Sequence, residues 1–212
     1  MQISWHGQYT IKITSKEDVL IIDPYSPENG LSPFRSKATI VALSNPQDKS
    51  MSHTSGVQGD FLLINTPGEY AVRGFTLHGL GWTPTEENNQ TEHSLQLWGI
   101  EGMSILHVGA LNRDLTDQEL QQLERIGVDV MLLPVGGGSG LNLKQAMNLL
   151  TTIEPRLVIP IHYKLPGLSE KLDGVEQFAK ELGVSPTASE QKLLLKANKL
   201  PEEEMQTVIL KP

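Results

Sequence analysis

The chain contains no cysteine. That absence excludes disulfides, thiolate nucleophiles and every cysteine-based metal site. Basic residues are in the minority, with 17 Lys and Arg against 25 Asp and Glu and a formal net charge of −8. Phosphate backbones and anionic bilayers both call for a basic face, so neither nucleic acid nor a membrane is expected as a partner. No apolar run approaches the roughly 20 residues of a membrane-spanning helix. The N-terminal stretch MQISWHGQYTIKIT lacks the basic segment and apolar run of a signal peptide. The expectation is a cytoplasmic protein.

What is present is a globular profile. The 212 residues are 38% hydrophobic and 20% charged, enough for a sizeable core in a single domain over 1–212. The first 110 residues read as strands. In YTIKIT, Tyr9, Ile11 and Ile13 alternate with Thr10, Lys12 and Thr14, the period of a half-buried strand. QISW, VLIID, ATIVAL, FLLIN, EYAV and FTLHGL continue the series, with TPG and RG as turns. TPTEENNQTEH (83–93) predicts an exposed loop, and SLQLWGI and MSILHVG a strand pair joined by EG (101–102).

Helical spacing begins only after residue 110. LTDQELQQLERIG sets Leu115, Leu120, Leu123 and Ile126 near one face, with Thr116 and Glu119 as a capping box and Gly127 as a stop. Residues 142–153 and 169–183 predict two further helices, interleaved with the apolar strands DVMLLPV and RLVIPI. QKLLLKA and MQTVILK close the chain as strands. Two sheets with outer helices bury all of these faces.

The stretch SNPQDKS (44–50) leaves the apolar strand ATIVAL as a polar loop, a common position for an active site. It holds no His, Cys or Glu. Together with ISWHGQYTIKI, VLIIDPY, NTPGEYAVRGFTLHGL, SILHVGAL, LLPVGG and VIPIHYKLPG, it resembles the metallo-β-lactamase superfamily. The nearest branch is the small bacterial hydrolases similar to L-ascorbate-6-phosphate lactonase. The resemblance covers nearly the whole chain and implies an α+β fold, an αββα four-layer sandwich of two mixed sheets with outer helices. It also implies a His-x-His-x-Asp-His loop holding zinc, whose bound water becomes the nucleophile.

Here the positions of that loop carry Asn45, Gln47, Lys49 and Ser50. The next ligand position falls near Gly81 and the bridging carboxylate on Ala110, leaving His162 as the one ligand retained. Three protein ligands are the usual minimum for a catalytic zinc, so no metal cofactor is expected although the family uses zinc. The resemblance makes Asp23 a support beneath the loop, and a buried carboxylate needs a partner. Lys49 is the candidate, against the alternative that it points to water.

His162 reads as a relic ligand, a general base or a strand-end cap. His107 reads as a core histidine, and His6 as a residue near the same sheet edge. Asp48, His53 and His162 form the alternative metal set. PVGGGSGLNLKQ lacks the ending of a phosphate loop. Glu69 and Tyr70 are candidates to line the cleft. The leading expectation is a non-catalytic pseudo-hydrolase acting in binding or assembly, with an unknown ligand or protein partner and homo-oligomerisation in view. The alternatives are a hydrolase with a rearranged or metal-free site and an obligate subunit of an active relative.

Overall fold

A computed structural model describes residues 1–82, 93–186 and 190–212. In chain order its strands begin with β1 (Gln2–Trp5), β2 (Ile11–Ser15), β3 (Asp18–Ile22), β4 (Ser36–Lys37) and β5 (Ile40–Ala42). They continue with β6 (Val57–Gln58), β7 (Leu62–Ile64), β8 (Gly68–Val72), β9 (Phe75–Trp82), β10 (His93–Ile100) and β11 (Met103–His107). Helix α1 (Asp117–Ile126), β12 (Val130–Pro134), α2 (Leu143–Ile153), β13 (Leu157–Ile161), α3 (Val175–Leu182), β14 (Leu193–Leu194) and β15 (Gln206–Thr207) complete the described elements.

Two mixed sheets form the body. The first runs β14-β1-β2-β3-β5-β7, and the second β15-β13-β12-β11-β10-β9-β8. The alternation in β2 does what its period predicts: Ile11 and Ile13 are fully buried while Lys12 and Thr14 are partly exposed. Trp5, Leu20, Ile22, Ile40, Leu95, Leu97, Ile105 and Ile159 belong to one large core cluster that spans both sheets. Each fully buried side chain of this size contributes about 1.5–3 kcal/mol of transfer free energy.

The strands of the second half alternate with helices, as parallel pairing of β11, β12 and β13 requires. Helix α1 carries the expected capping box between Thr116 and Glu119, and Gly127 ends it. Only Leu123 of its predicted stripe is fully buried, and Ile126 is exposed. The third helix is shorter than the periodicity predicts, starting at Val175 rather than Ser169. Gly174 caps it, and the preceding strap is committed elsewhere: Lys164 N–H donates to Asp173 O, and Asp173 N–H to Gly136 O.

The outer face of the first sheet is covered differently. Ile21 and Val41 point away from the main core and meet Tyr25, Phe34, Ala38, Leu43 and Val57 in a second cluster. These residues come from loops and from the two-stranded β4–β6 ribbon, and none belongs to an α-helix. The expected loop over 83–93 lies outside the described residues except for His93, which is buried as the first residue of β10.

Candidate functional site

The carboxyl ends of β3, β5, β11, β12 and β13 bring five connecting segments to one edge of the sandwich, the usual place for ligands in parallel sheets. Residues 44–50 leave β5 there. Their loop is held by its own side chains. Asn45 is buried, and its Oδ1 accepts from the N–H groups of Gln47 and Asp48, both at 3.2 Å. Asp48 Oδ1 accepts from Ser50 N–H at 2.8 Å. Two consecutive turns of this kind fix the backbone without a metal. Gln47, Lys49 and Ser50 are exposed.

Beneath this loop lies Asp23, fully buried. Ser44 N–H donates to its Oδ1 and Ser44 Oγ to its Oδ2, both at 2.6 Å. The expected Lys49 partner is therefore corrected. Two hydrogen bonds from Ser44 satisfy the carboxyl, while Lys49 stands in solvent with no ion pair among the described residues. Burial raises Asp23 to about 7, and the bonds from Ser44 pull the other way. His107 is also fully buried, with Nε2 against Tyr9 O at 3.0 Å and Nδ1 3.7 Å from Asp23 Oδ2. Burial lowers His107 to about 4, so this contact at neutral pH joins a carboxyl to a neutral imidazole. The reading of His107 as a core histidine holds.

His162, the retained ligand position, is fully buried at the end of β13. Its ring stacks on Tyr9 at a centroid distance of 4.0 Å, and its Nε2 lies 3.2 Å from Glu170 Oε2. Glu170 also accepts from Gln8 Nε2 and, through Oε1, from Ser139 N–H. Burial pushes Glu170 up, but the hydrogen bonds from His162 and Ser139 and the His162 charge prevail and bring it down to about 2. The glycine run 136–140 makes room for this knot. A Cβ on Gly136 would lie 2.4 Å from His162 O, and one on Gly140 2.9 Å from the Tyr9 hydroxyl. That steric demand, rather than phosphate binding, accounts for the Gly-rich turn.

Three non-glycine residues here hold left-handed backbone: Gln8 (φ 49°), Asp23 (φ 47°) and His162 (φ 48°). Such geometry costs on the order of 1–3 kcal/mol per residue and persists only where its surroundings enforce it.

The remaining candidates do not converge. Ala110 offers no donor atom. Gly81 is exposed on β9, and a Cβ there would lie 2.4 Å from Pro67 Cβ, so no side chain fits without moving that ring. The alternative metal set is also corrected. His53 Nε2 is bonded to Ser55 Oγ at 2.6 Å and His162 to Glu170, and no group of three His, Asp or Glu among the described residues can hold a metal ion. The donor set therefore does not fit a zinc centre of the kind the resemblance implies. His6 turns to Ser4 and Phe34, on the outer cover. Glu69 pairs with His78 and Tyr70 bonds to Thr66, on the edge hairpin. Glu170, Tyr9, Ser44 and the buried His93 are parts of the site that sequence reading missed. His93 Nε2 bonds Val108 O at 2.9 Å.

Comparison with known proteins gives a consistent picture. The family described as "Beta-lactamase superfamily domain" matches residues 2–162. A UPF0173 metal-dependent hydrolase of Bacillus velezensis is 25% identical over 199 residues, covering 77% of this chain and 85% of its own. A similar protein of Natranaerobius thermophilus is 22% identical, over 86% of this chain and 91% of its own. Among solved structures, a metallo-β-lactamase superfamily protein of Thermotoga maritima superposes with a TM-score of 0.77 at 24% identity, over 99% of this chain and 97% of its own.

Proposed function

The chain belongs to the metallo-β-lactamase superfamily, and we propose that it keeps the family sandwich as a non-catalytic binding protein that carries no metal cofactor. The observation that carries this reading is the chemistry of the loop after β5. Asn45 spends its side-chain carbonyl on the loop's own amides, Lys49 and Ser50 face solvent, and the one imidazole left at a ligand position is bonded to Glu170. A loop of that kind holds its shape but presents no ligand set. Without metal-bound hydroxide, the family's usual nucleophile is missing.

A cytoplasmic location belongs to the same reading, supported by the absence of cysteine and of any helix long and apolar enough to cross a membrane among the described residues. Its partner is a small ligand at the cleft or a protein, a second copy of the chain included.

The competing reading is a metal-dependent hydrolase, the name its relatives bear. The left-handed backbone kept at Asp23 and His162 favours it, because such strain often marks working sites. The decisive experiment is elemental analysis of protein purified without chelator, paired with assays on phosphodiesters, lactones and β-lactams. The expected result is substoichiometric zinc, manganese and iron and no turnover. Near-stoichiometric metal that is lost in His162→Ala overturns the non-catalytic reading.

A further inference from the structure

At the end of the sandwich opposite His162, where β13 begins, lies a groove of about 460 Å³. The C-terminal turns of α2 and α3 and the segment 201–205 before β15 form its walls. Leu150, Leu182 and Met205 give it an apolar lining, and Met205 is 37% exposed. Glu154 and the run Glu202, Glu203, Glu204 line it too, all four exposed. None of these four side chains makes an ion pair or hydrogen bond among the described residues. Arg156 also borders the groove, but its guanidinium is spent: Nε donates to Pro201 O at 2.6 Å and Nη2 to Leu200 O at 3.2 Å. Helix C-termini carry partial negative charge, so the two helix ends add to the field of the glutamates. A groove of this kind fits a cationic surface with an apolar centre.

The chain carries such a surface itself. In the stretch 192–196, Leu193 packs against the main core and Leu195 is buried. By the alternation of extended chain, Lys192, Leu194 and Lys196 share the outward face, and all three are exposed. Leu194, at 76%, is the most exposed large apolar side chain among the described residues. Neither lysine makes an ion pair there. In a single chain this leucine keeps its apolar surface in water and gains nothing from burial.

The two surfaces share one edge and one end of the sandwich. β14 is the last strand of the first sheet and β15 of the second, and Glu190 is bridged to Leu210 between them. Leu195 N–H donates to Met1 O, and the Met1 ammonium meets Glu101 in the turn before β11. Because β11, β12 and β13 are parallel, that turn lies at the same end as the start of β13.

We propose that a second copy of this chain docks here, with its 192–196 segment laid into the groove. Leu194 meets the apolar lining and the two lysines meet the glutamates. A twofold axis along the shared edge makes the same contact twice and closes the assembly as a dimer. The surface lies at the far end from the loop 44–50, so the inference goes beyond the binding reading above and does not rest on it.

The test is sedimentation equilibrium of the full chain over roughly 1 to 100 μM at about 50 mM salt. The expected species is a dimer. Three variants should each weaken it at least about tenfold: Leu194→Glu, Lys192→Glu with Lys196→Glu, and Glu203→Lys with Glu204→Lys. Mixing the two charge-reversed chains should restore a dimer, because each then offers the other a complementary strand and groove. The substituted residues are exposed, and thermal melts matching the parent chain check that the variants fold. A parent chain that stays monomeric throughout overturns the proposal. So does a dimer that none of the variants weakens, or a mixture of reversed chains that fails to pair. Masses that keep growing beyond two chains overturn the closed twofold arrangement. None of these outcomes bears on the metal content, which decides the non-catalytic reading separately.

Discussion

The edge of the sandwich has an upper tier and a lower tier, and they differ in kind. The upper tier is the loop 45–50, whose residues hold one another, with Asn45 buried and Gln47, Lys49 and Ser50 facing solvent. The lower tier is Asp23, Ser44, His107 and His162, all fully or nearly fully buried and tied into both sheets. Set beside the pattern the resemblance implies, the upper tier carries Asn45, Gln47, Lys49 and Ser50 at the ligand positions, and the lower tier has Asp23 and His162. Folding explains the difference. An exposed side chain contributes little to stability, whereas a buried carboxyl or imidazole cannot be removed without stranding its partners.

The largest effect expected from that contrast is in the lower tier. Asp23→Ala leaves the N–H and hydroxyl of Ser44 buried and unpaired and forces Ala into left-handed backbone, so a loss of about 2–4 kcal/mol is expected in urea unfolding. A loss under about 1 kcal/mol would put the two tiers on the same footing.

The next effect is one of pH. Asp23 has its folded value raised from 3.8 to about 7, so the stability it lends is full below about 4 and is lost as pH rises through 7. His107 and His93 have theirs lowered by burial from 6.5 to about 4, so their contribution is full above about 6.5 and is lost as pH falls through 4. The two slopes oppose each other over one window. Asp23→Asn, which tolerates left-handed backbone, removes the first slope. Stability should then rise from pH 4 to 6.5 by an amount on the order of a few kcal/mol, read from denaturation midpoints. A profile parallel to that of the unsubstituted chain would show that Asp23 does not titrate there.

Glu170→Gln comes third. The carboxylate is held down to about 2, so its contribution is full above about 4.5 and fades as pH falls through 2. Loss of its charge-assisted bonds to His162 and Gln8 is expected to cost about 1–2 kcal/mol at pH 7, with the gap between variant and parent closing near pH 2. The smallest effect belongs to the upper tier. Lys49→Ala should leave stability within about 0.5 kcal/mol, because no ion pair is broken.

Much of the fold was legible because its signals are local. The period of two in β2, the capping box of α1 and the apolar runs of β12 and β13 each act within a few residues. The third helix was overread because an amphipathic pattern does not reveal that residues 169–173 are held by the chain at Gly136 and Asn29. The site was legible only as a pattern of missing ligands. Gln8 and Glu170 meet across 162 positions and Tyr9 stacks on His162, and no spacing rule connects such residues. Lys49 drew attention as a charge near a buried carboxylate, but Ser44, adjacent to the strand end, was the closer partner.

The loop-built cover on the first sheet has a consequence for how the molecule breathes. Its apolar cluster is separate from the main core and comes from chain with little regular hydrogen bonding. Such a layer can detach as its own cooperative unit, at a fraction of the global unfolding free energy, while both sheets stay paired. Amide exchange there should outpace that of β2.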